Sequence, residues 1–159
     1  MLGFLIIKKM KNTLEGVSEI EISYNPAIGS KPEVTSSSDA YLILKEHYPE
    51  NQIALKEYFV VMYLNQANRV IGVQKLSIGG LTSAVADVRL LFGTALKILA
   101  TGIVISHNHP SGNTRPSLQD RNLTKQVKEA GKLLDIKLLD HIILTPDDQY
   151  ISMADNGDL

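Results

Sequence analysis

The run Ile103-Val104-Ile105 passes without a break into Ser106-His107-Asn108-His109, then into Pro110-Ser111-Gly112-Asn113 and on to Pro116-Ser117-Leu118-Gln119-Asp120. Three β-branched residues after Gly102 read as a short buried strand, and the turn formers that follow stop it. Ser117 can accept a free backbone N–H, so a helix opens there with Asp120 in its first turn. A strand handing over to a helix across so short a turn makes the fold α/β. That junction is where such sheets place their ligands. Side chains two apart on an extended segment share a face. His107 and His109 are therefore expected to face one point while Asn108 faces away.

Two neutral imidazoles and one carboxylate leave a divalent zinc with net positive charge and one open tetrahedral position, the pattern of catalytic rather than structural zinc. Water at such a centre has its pKa lowered to about 7. Closed structural sites usually recruit thiolates, and the chain has no cysteine, which also excludes the cysteine-containing zinc deaminase signature. Plainer readings stand beside this one. Ser117-x-x-Asp120 is equally a capping box, and an isolated His-x-His pair is more often incidental than a ligand pair. Spacing does not choose a general base among Glu33, Glu46, Glu50 and Glu57. Glu57 has only the local support of heading the apolar run Tyr58 to Leu64.

The pattern His107-x-His109, seven residues, Ser117, two residues, Asp120 resembles the metal-binding signature of the JAB/MPN metalloproteases. The longer run His107-Asn108-His109-Pro110-Ser111-Gly112, with Leu139-Asp140-His141-Ile142-Ile143 downstream and Glu57-Tyr58-Phe59-Val60-Val61 upstream, is similar to the RadC-like branch, in a short form without a helix-hairpin-helix segment. The likeness covers roughly residues 33 to 157. It implies a three-layer, cytidine-deaminase-like α/β fold with a mixed sheet and flanking helices. It also implies that His107, His109 and Asp120 are zinc ligands, that Glu57 is the general base, and that Ser117 helps hold an oxyanion. The activity implied is zinc-dependent cleavage of a peptide or isopeptide bond in a peptide or protein substrate. Two alternatives from other classes remain: a DNA-repair-associated accessory protein whose zinc is structural, and a metal-dependent nuclease. His141 is expected to be structural or to support the ligands from behind. Residues 95 to 100 and Met153 depart from the pattern of relatives, away from the expected metal ligands.

At 159 residues, 44% hydrophobic and 21% charged, the chain is long enough for one sizeable core and too short for two comfortable domains. Residues 1–32 are expected to form an N-terminal extension with an edge strand and linker, and 33–159 the domain. A net charge of −1 gives no global electrostatic case for nucleic acid, so a DNA partner is only weakly supported. The absence of cysteine fits a reducing, cytoplasmic setting. Met1 to Ile7 is apolar but brief, with its lysines after it, so neither a secretory signal nor a membrane span is expected. Met10 is a plausible alternative start, and residues 1 to 9 are expected to be dispensable.

Patterning fills in the elements. An edge strand is expected over Val17 to Tyr24 and a connector over Asn25 to Ser38, followed by a helix from about Ala40 to His47 capped by Ser38-Asp39. Glu57 to Leu64 and Arg69 to Ile78 read as a hairpin across Asn65-Gln66-Ala67-Asn68. A long helix from about Ala84 to Ala100 should turn Val85, Val88, Leu91, Leu96 and Leu99 inward, with Gly93 allowing close packing. The last helix, about Ser117 to Leu134, should bury Leu123, Val127, Ala130 and Leu134 and leave Arg121, Lys125, Lys128 and Lys132 on a solvated face. Lys137 to Leu144 and Tyr150 to Met153 read as two final strands.

Overall fold

A computed structural model describes residues 23–26, 28–79 and 86–159. Its elements are α1 (Ser37–Lys45), β1 (Tyr58–Leu64), β2 (Val70–Ile78), α2 (Val88–Lys97), β3 (Gly102–Asn108), α3 (Leu118–Leu134), β4 (Lys137–Leu144) and β5 (Tyr150–Ser152). The five strands form one mixed sheet in the order β2-β1-β3-β4-β5. Among the described strand pairs only β3–β4 is parallel, and α3 makes the crossover between them. β1 and β3 are buried along their whole length, which is why their sequences are continuous apolar runs rather than alternating ones.

The sheet separates two cores. On one face Tyr41, Leu44 and Tyr48 pack with Val60, Met62, Val104 and Ile142. On the other, Leu91, Phe92 and Ala95 of α2 and Val127 of α3 cover Phe59, Val61, Tyr63, Ile103 and Ile105. The expected α/β architecture, with a mixed sheet between helical layers, is what forms. No helix among the described residues is long and apolar enough to cross a membrane.

Several boundaries differ from the expected ones for local reasons. α1 starts at Ser37 because Ser36, not Ser38, is the cap: its hydroxyl accepts from Asp39 N, and the Asp39 carboxylate accepts from Ser36 N. α2 is shorter than expected. Asp87 caps it by accepting from Arg89 N at 2.9 Å, and Leu99 adopts a left-handed backbone (φ 57°) just past its end. Leu96 and Leu99 are consequently exposed rather than buried, at 50% and 82%. Gly93 has open space around it, so the close helix approach falls elsewhere, at Gly131 of α3. The buried stripe of α3 is Thr124, Val127 and Gly131, with Leu123 and Ala130 half-buried at its flanks and Leu134 exposed. Arg121 is engaged with Asp158.

The hairpin turn forms where expected, held by Asn65 Oδ1, which accepts from Ala67 N and Arg69 N at 3.0 Å each. The expected edge strand falls on residues 17–22, which with Met1 to Ile7, Met10, Ala84 and Val85 lie outside the described residues; residues 23 and 24 are not strand.

Candidate metal centre

β3 ends at Asn108, and the backbone continues extended for one more residue, with His109 N donating to Leu144 O at 2.8 Å. His107 and His109 therefore project to the same side, as the two-residue spacing requires. Their Nε2 atoms lie 2.9 Å apart. α3 brings the third group. Asp120 Oδ1 is 3.1 Å from His107 Nε2, and Oδ2 is 3.6 Å from His109 Nε2. Ligands about 2.0–2.2 Å from a tetrahedral zinc lie roughly 3.3–3.5 Å from one another. The contacts, 2.9, 3.1 and 3.6 Å with one Asp120 oxygen on each ring, bracket that spacing, and the group could hold a metal ion.

The capping-box reading of Ser117 and Asp120 also holds, and the two readings are compatible. Ser117 Oγ accepts from Asp120 N at 3.1 Å, and Asp120 Oδ2 accepts from Ser117 N at 2.6 Å. The box aims the carboxylate: Oδ1 meets His107, and Oδ2, which takes the Ser117 N–H, also faces His109. Ser117 itself is exposed, and accepting from Asp120 N leaves its own hydroxyl hydrogen uncommitted by that bond.

Ring orientation is fixed from behind. His109 Nδ1 lies 2.5 Å from the Asn113 carbonyl, which can only accept, so Nδ1 carries the proton and a neutral His109 presents its Nε2 lone pair. His107 Nδ1 lies 2.8 Å from His141 Nε2, so His141 does support the pair from β4. Phe59 stacks against His107, 6.4 Å between ring centroids.

Electrostatics follow from this crowding. Burial opposes ionisation of Asp120, but its close contacts with the His107 and His109 rings outweigh it and hold the carboxyl far below the usual carboxylate range. The Asp120 hydrogen bond raises the pKa of His109 against the opposing effect of burial, and the Asn113 carbonyl and the charges of Asp120 and Glu57 add to the rise. Any proton on His109 Nε2 stands where a cation would, and metal binding must displace it.

Glu57 is half-buried, one residue before β1, and its charge is felt at His109. Its backbone is anchored by Gly79 N, which donates to Glu57 O at 2.8 Å. Asn108, between the two histidines and facing the opposite side of the sheet as expected, holds the segment leading to Glu57. Its Oδ1 accepts from Tyr58 N at 2.7 Å, and its Nδ2 donates to Ile53 O and Lys56 O at 2.7 and 2.8 Å. That role was missed from sequence, although an amide inside an otherwise apolar strand signals a buried group in need of several partners. Thr124 was missed too. It is the polar member of the buried α3 stripe, one turn after Asp120, and its Oγ1 lies 2.6 Å from His141 Nδ1. The departures at 95 to 100 lie before β3, at the end of that strand remote from the histidines. Met153 is closer, its sulfur 3.5 Å from Thr124 Oγ1.

The fold and the site together define an α/β protein with a His-His-Asp group that could hold a metal at the C-terminal end of a central strand. Residues 34–158 match the RadC-like JAB domain, and the chain belongs to that family. It is 43% identical over 125 residues to a UPF0758 protein of Flavobacterium johnsoniae, covering 79% of this chain and 53% of the relative. A UPF0758 protein of Porphyromonas gingivalis is 37% identical over 141 residues, 89% of this chain and 62% of the relative. One from Methanosarcina mazei is 36% identical over 127 residues, 80% and 54%. The chain thus spans a little over half the length of the curated relatives it matches.

Proposed function

We propose that this chain is a metal-dependent hydrolase that uses zinc held by His107, His109 and Asp120 to cleave a peptide or isopeptide bond, and that it works in the cytoplasm. One observation carries the reading: the Nε2 atoms of His107 and His109 and the Asp120 carboxylate converge, with contacts of 2.9–3.6 Å and protein groups behind both rings. Cysteine-free nitrogen and oxygen donors with an open side favour catalytic over structural zinc. When bound, zinc supplies a Lewis acid that activates water and polarises a carbonyl. Glu57 takes the proton of the attacking water on its carboxylate and passes it to the departing amine. The Ser117 hydroxyl donates to the carbonyl oxygen as negative charge builds there, and the α3 cap holds its oxygen in place. Asn108 keeps Glu57 at the mouth of the site by clamping residues 53–58.

The test is metal analysis followed by substrate profiling on the full chain. One zinc per chain is expected, lost in His107→Ala. A mixed peptide and isopeptide library should be cleaved by the wild type, while Glu57→Gln keeps its zinc and loses turnover. Zinc-independent cleavage, or a Glu57→Gln variant as fast as the parent, overturns the mechanism. Metal-dependent scission of DNA in a parallel assay would move the chemistry to phosphodiesters.

A further inference from the structure

We propose that Thr124 and His141 act as positioning residues, a hydrogen-bond relay that fixes His107 in its Nδ1–H tautomer and so turns the Nε2 lone pair toward the metal position. The inference rests on the metal-centre reading for its consequence but not for its geometry. Thr124 Oγ1 lies 2.6 Å from the Asp120 carbonyl oxygen and 2.6 Å from His141 Nδ1. The carbonyl can only accept, so the single hydroxyl hydrogen belongs to it. Thr124 must then accept from His141, which places a proton on His141 Nδ1. His141 is fully buried, with Thr124 on its Nδ1 and His107 on its Nε2, and a ring that carries its proton on Nδ1 offers Nε2 as an acceptor. Across 2.8 Å it receives the Nδ1–H of His107. The Nε2 of His107 is left bare, facing His109 and Asp120.

Opposite polarity has a definite cost. It would leave Thr124 Oγ1 and Asp120 O, both acceptors, 2.6 Å apart with no hydrogen between them. It would also put the His107 proton on Nε2, where it must be expelled before a metal can bind. The relay begins and ends at one residue: the Asp120 carbonyl sets the direction, and the Asp120 carboxylate faces the nitrogen whose lone pair results.

The experiment uses the full chain labelled with 15N and stripped of metal by a chelator. Long-range 1H–15N correlations of the histidine rings report which nitrogen carries each proton. Zinc affinity is measured beside it by competition with a chromophoric chelator, for wild type, Thr124→Val and Thr124→Ser. Wild type should show Nδ1–H at both His107 and His141. Thr124→Val removes the acceptor and should switch both rings to Nε2–H, weakening zinc by about 10–100-fold, the usual effect of losing a group that orients a ligand. Thr124→Ser should restore tautomer and affinity. A wild-type His107 carrying Nε2–H overturns the relay, as does a Thr124→Val protein that keeps Nδ1–H and the parent affinity. Should Thr124→Val fail to fold, the wild-type tautomers decide alone. A wild type with both Nδ1–H signals but no zinc binding would support the relay and sink the metal-centre reading, whereas zinc binding with His107 in the Nε2–H form would do the reverse.

Discussion

Gly93 and Gly131 both sit inside helices, so replacing either by alanine should gain about 1 kcal/mol from helix propensity alone. The structure separates them. A Cβ on Gly93 meets nothing within 4 Å, and Gly93→Ala should stabilise the chain by about 0.5–1 kcal/mol. A Cβ on Gly131 would lie 2.3 Å from the Ile136 carbonyl oxygen and 3.5 Å from Phe92 Cζ. The obstacle at 2.3 Å is backbone, not a movable side-chain tip, and it must retreat by roughly 1 Å to reach ordinary contact. Overpacking of this kind costs about 1–3 kcal/mol. The same shift pulls on the 2.9 Å bond from Ile136 N to Gly131 O, worth about 0.5–1.5 kcal/mol more. Set against the propensity gain, Gly131→Ala should lose about 1–3 kcal/mol net. For a chain of this length 1 kcal/mol moves the midpoint by roughly 2–4 °C. Thermal unfolding of the metal-free proteins by circular dichroism should show Gly93→Ala rising by about 1–4 °C and Gly131→Ala falling by about 2–12 °C. Two shifts of the same sign would refute the close contact between Gly131 and the turn that follows α3.

The two jobs of the α3 N-terminus should come apart by mutation. Ser117→Ala removes the cap, lowering stability by about 1 kcal/mol while zinc titration still finds a site. Asp120→Asn keeps an oxygen to accept from Ser117 N but not the anionic donor, and should weaken zinc by more than the roughly 10–100-fold expected for a supporting group; the reverse pattern would make Asp120 a cap only. Dependence on pH should run in opposite directions with and without metal. His109 has its folded pKa raised above about 6.5, so its contribution to metal-free stability is complete below that value and is lost as pH rises through the folded pKa. Zinc affinity, which needs His109 deprotonated, should climb over the same range, and parallel melts and titrations from pH 6 to 9 check both. Asn108→Asp sets a carboxylate against the Ile53 and Lys56 carbonyls, which should cost about 1–3 kcal/mol in a melt and reduce turnover even where zinc is retained.

What was legible in the sequence were the features set by local chemistry. The β3 run, the His-x-His spacing, the Ser117 cap and the hairpin turn each depend on residues close in the chain, and each forms where its pattern lies. The buried face of a helix is less local. Leu96, Leu99 and Leu134 are as apolar as Leu91, and only the sheet underneath decides that Leu91 is covered and they are not. Gly93 and Gly131 could not be told apart by helical pattern either: the carbonyl that crowds Gly131 belongs to Ile136, folded back by the left-handed Asp135 just past the end of α3. The centre divides in the same way. Its facing donors share a fourteen-residue segment and announce themselves, whereas Thr124, His141 and Asn108 act on groups one helical turn, 34 residues and 50 or more residues away. A group that orients a ligand need not resemble a ligand. It needs only one hydrogen bond of the right polarity, and that polarity is set by tertiary neighbours such as the Asp120 carbonyl, which no motif spells out.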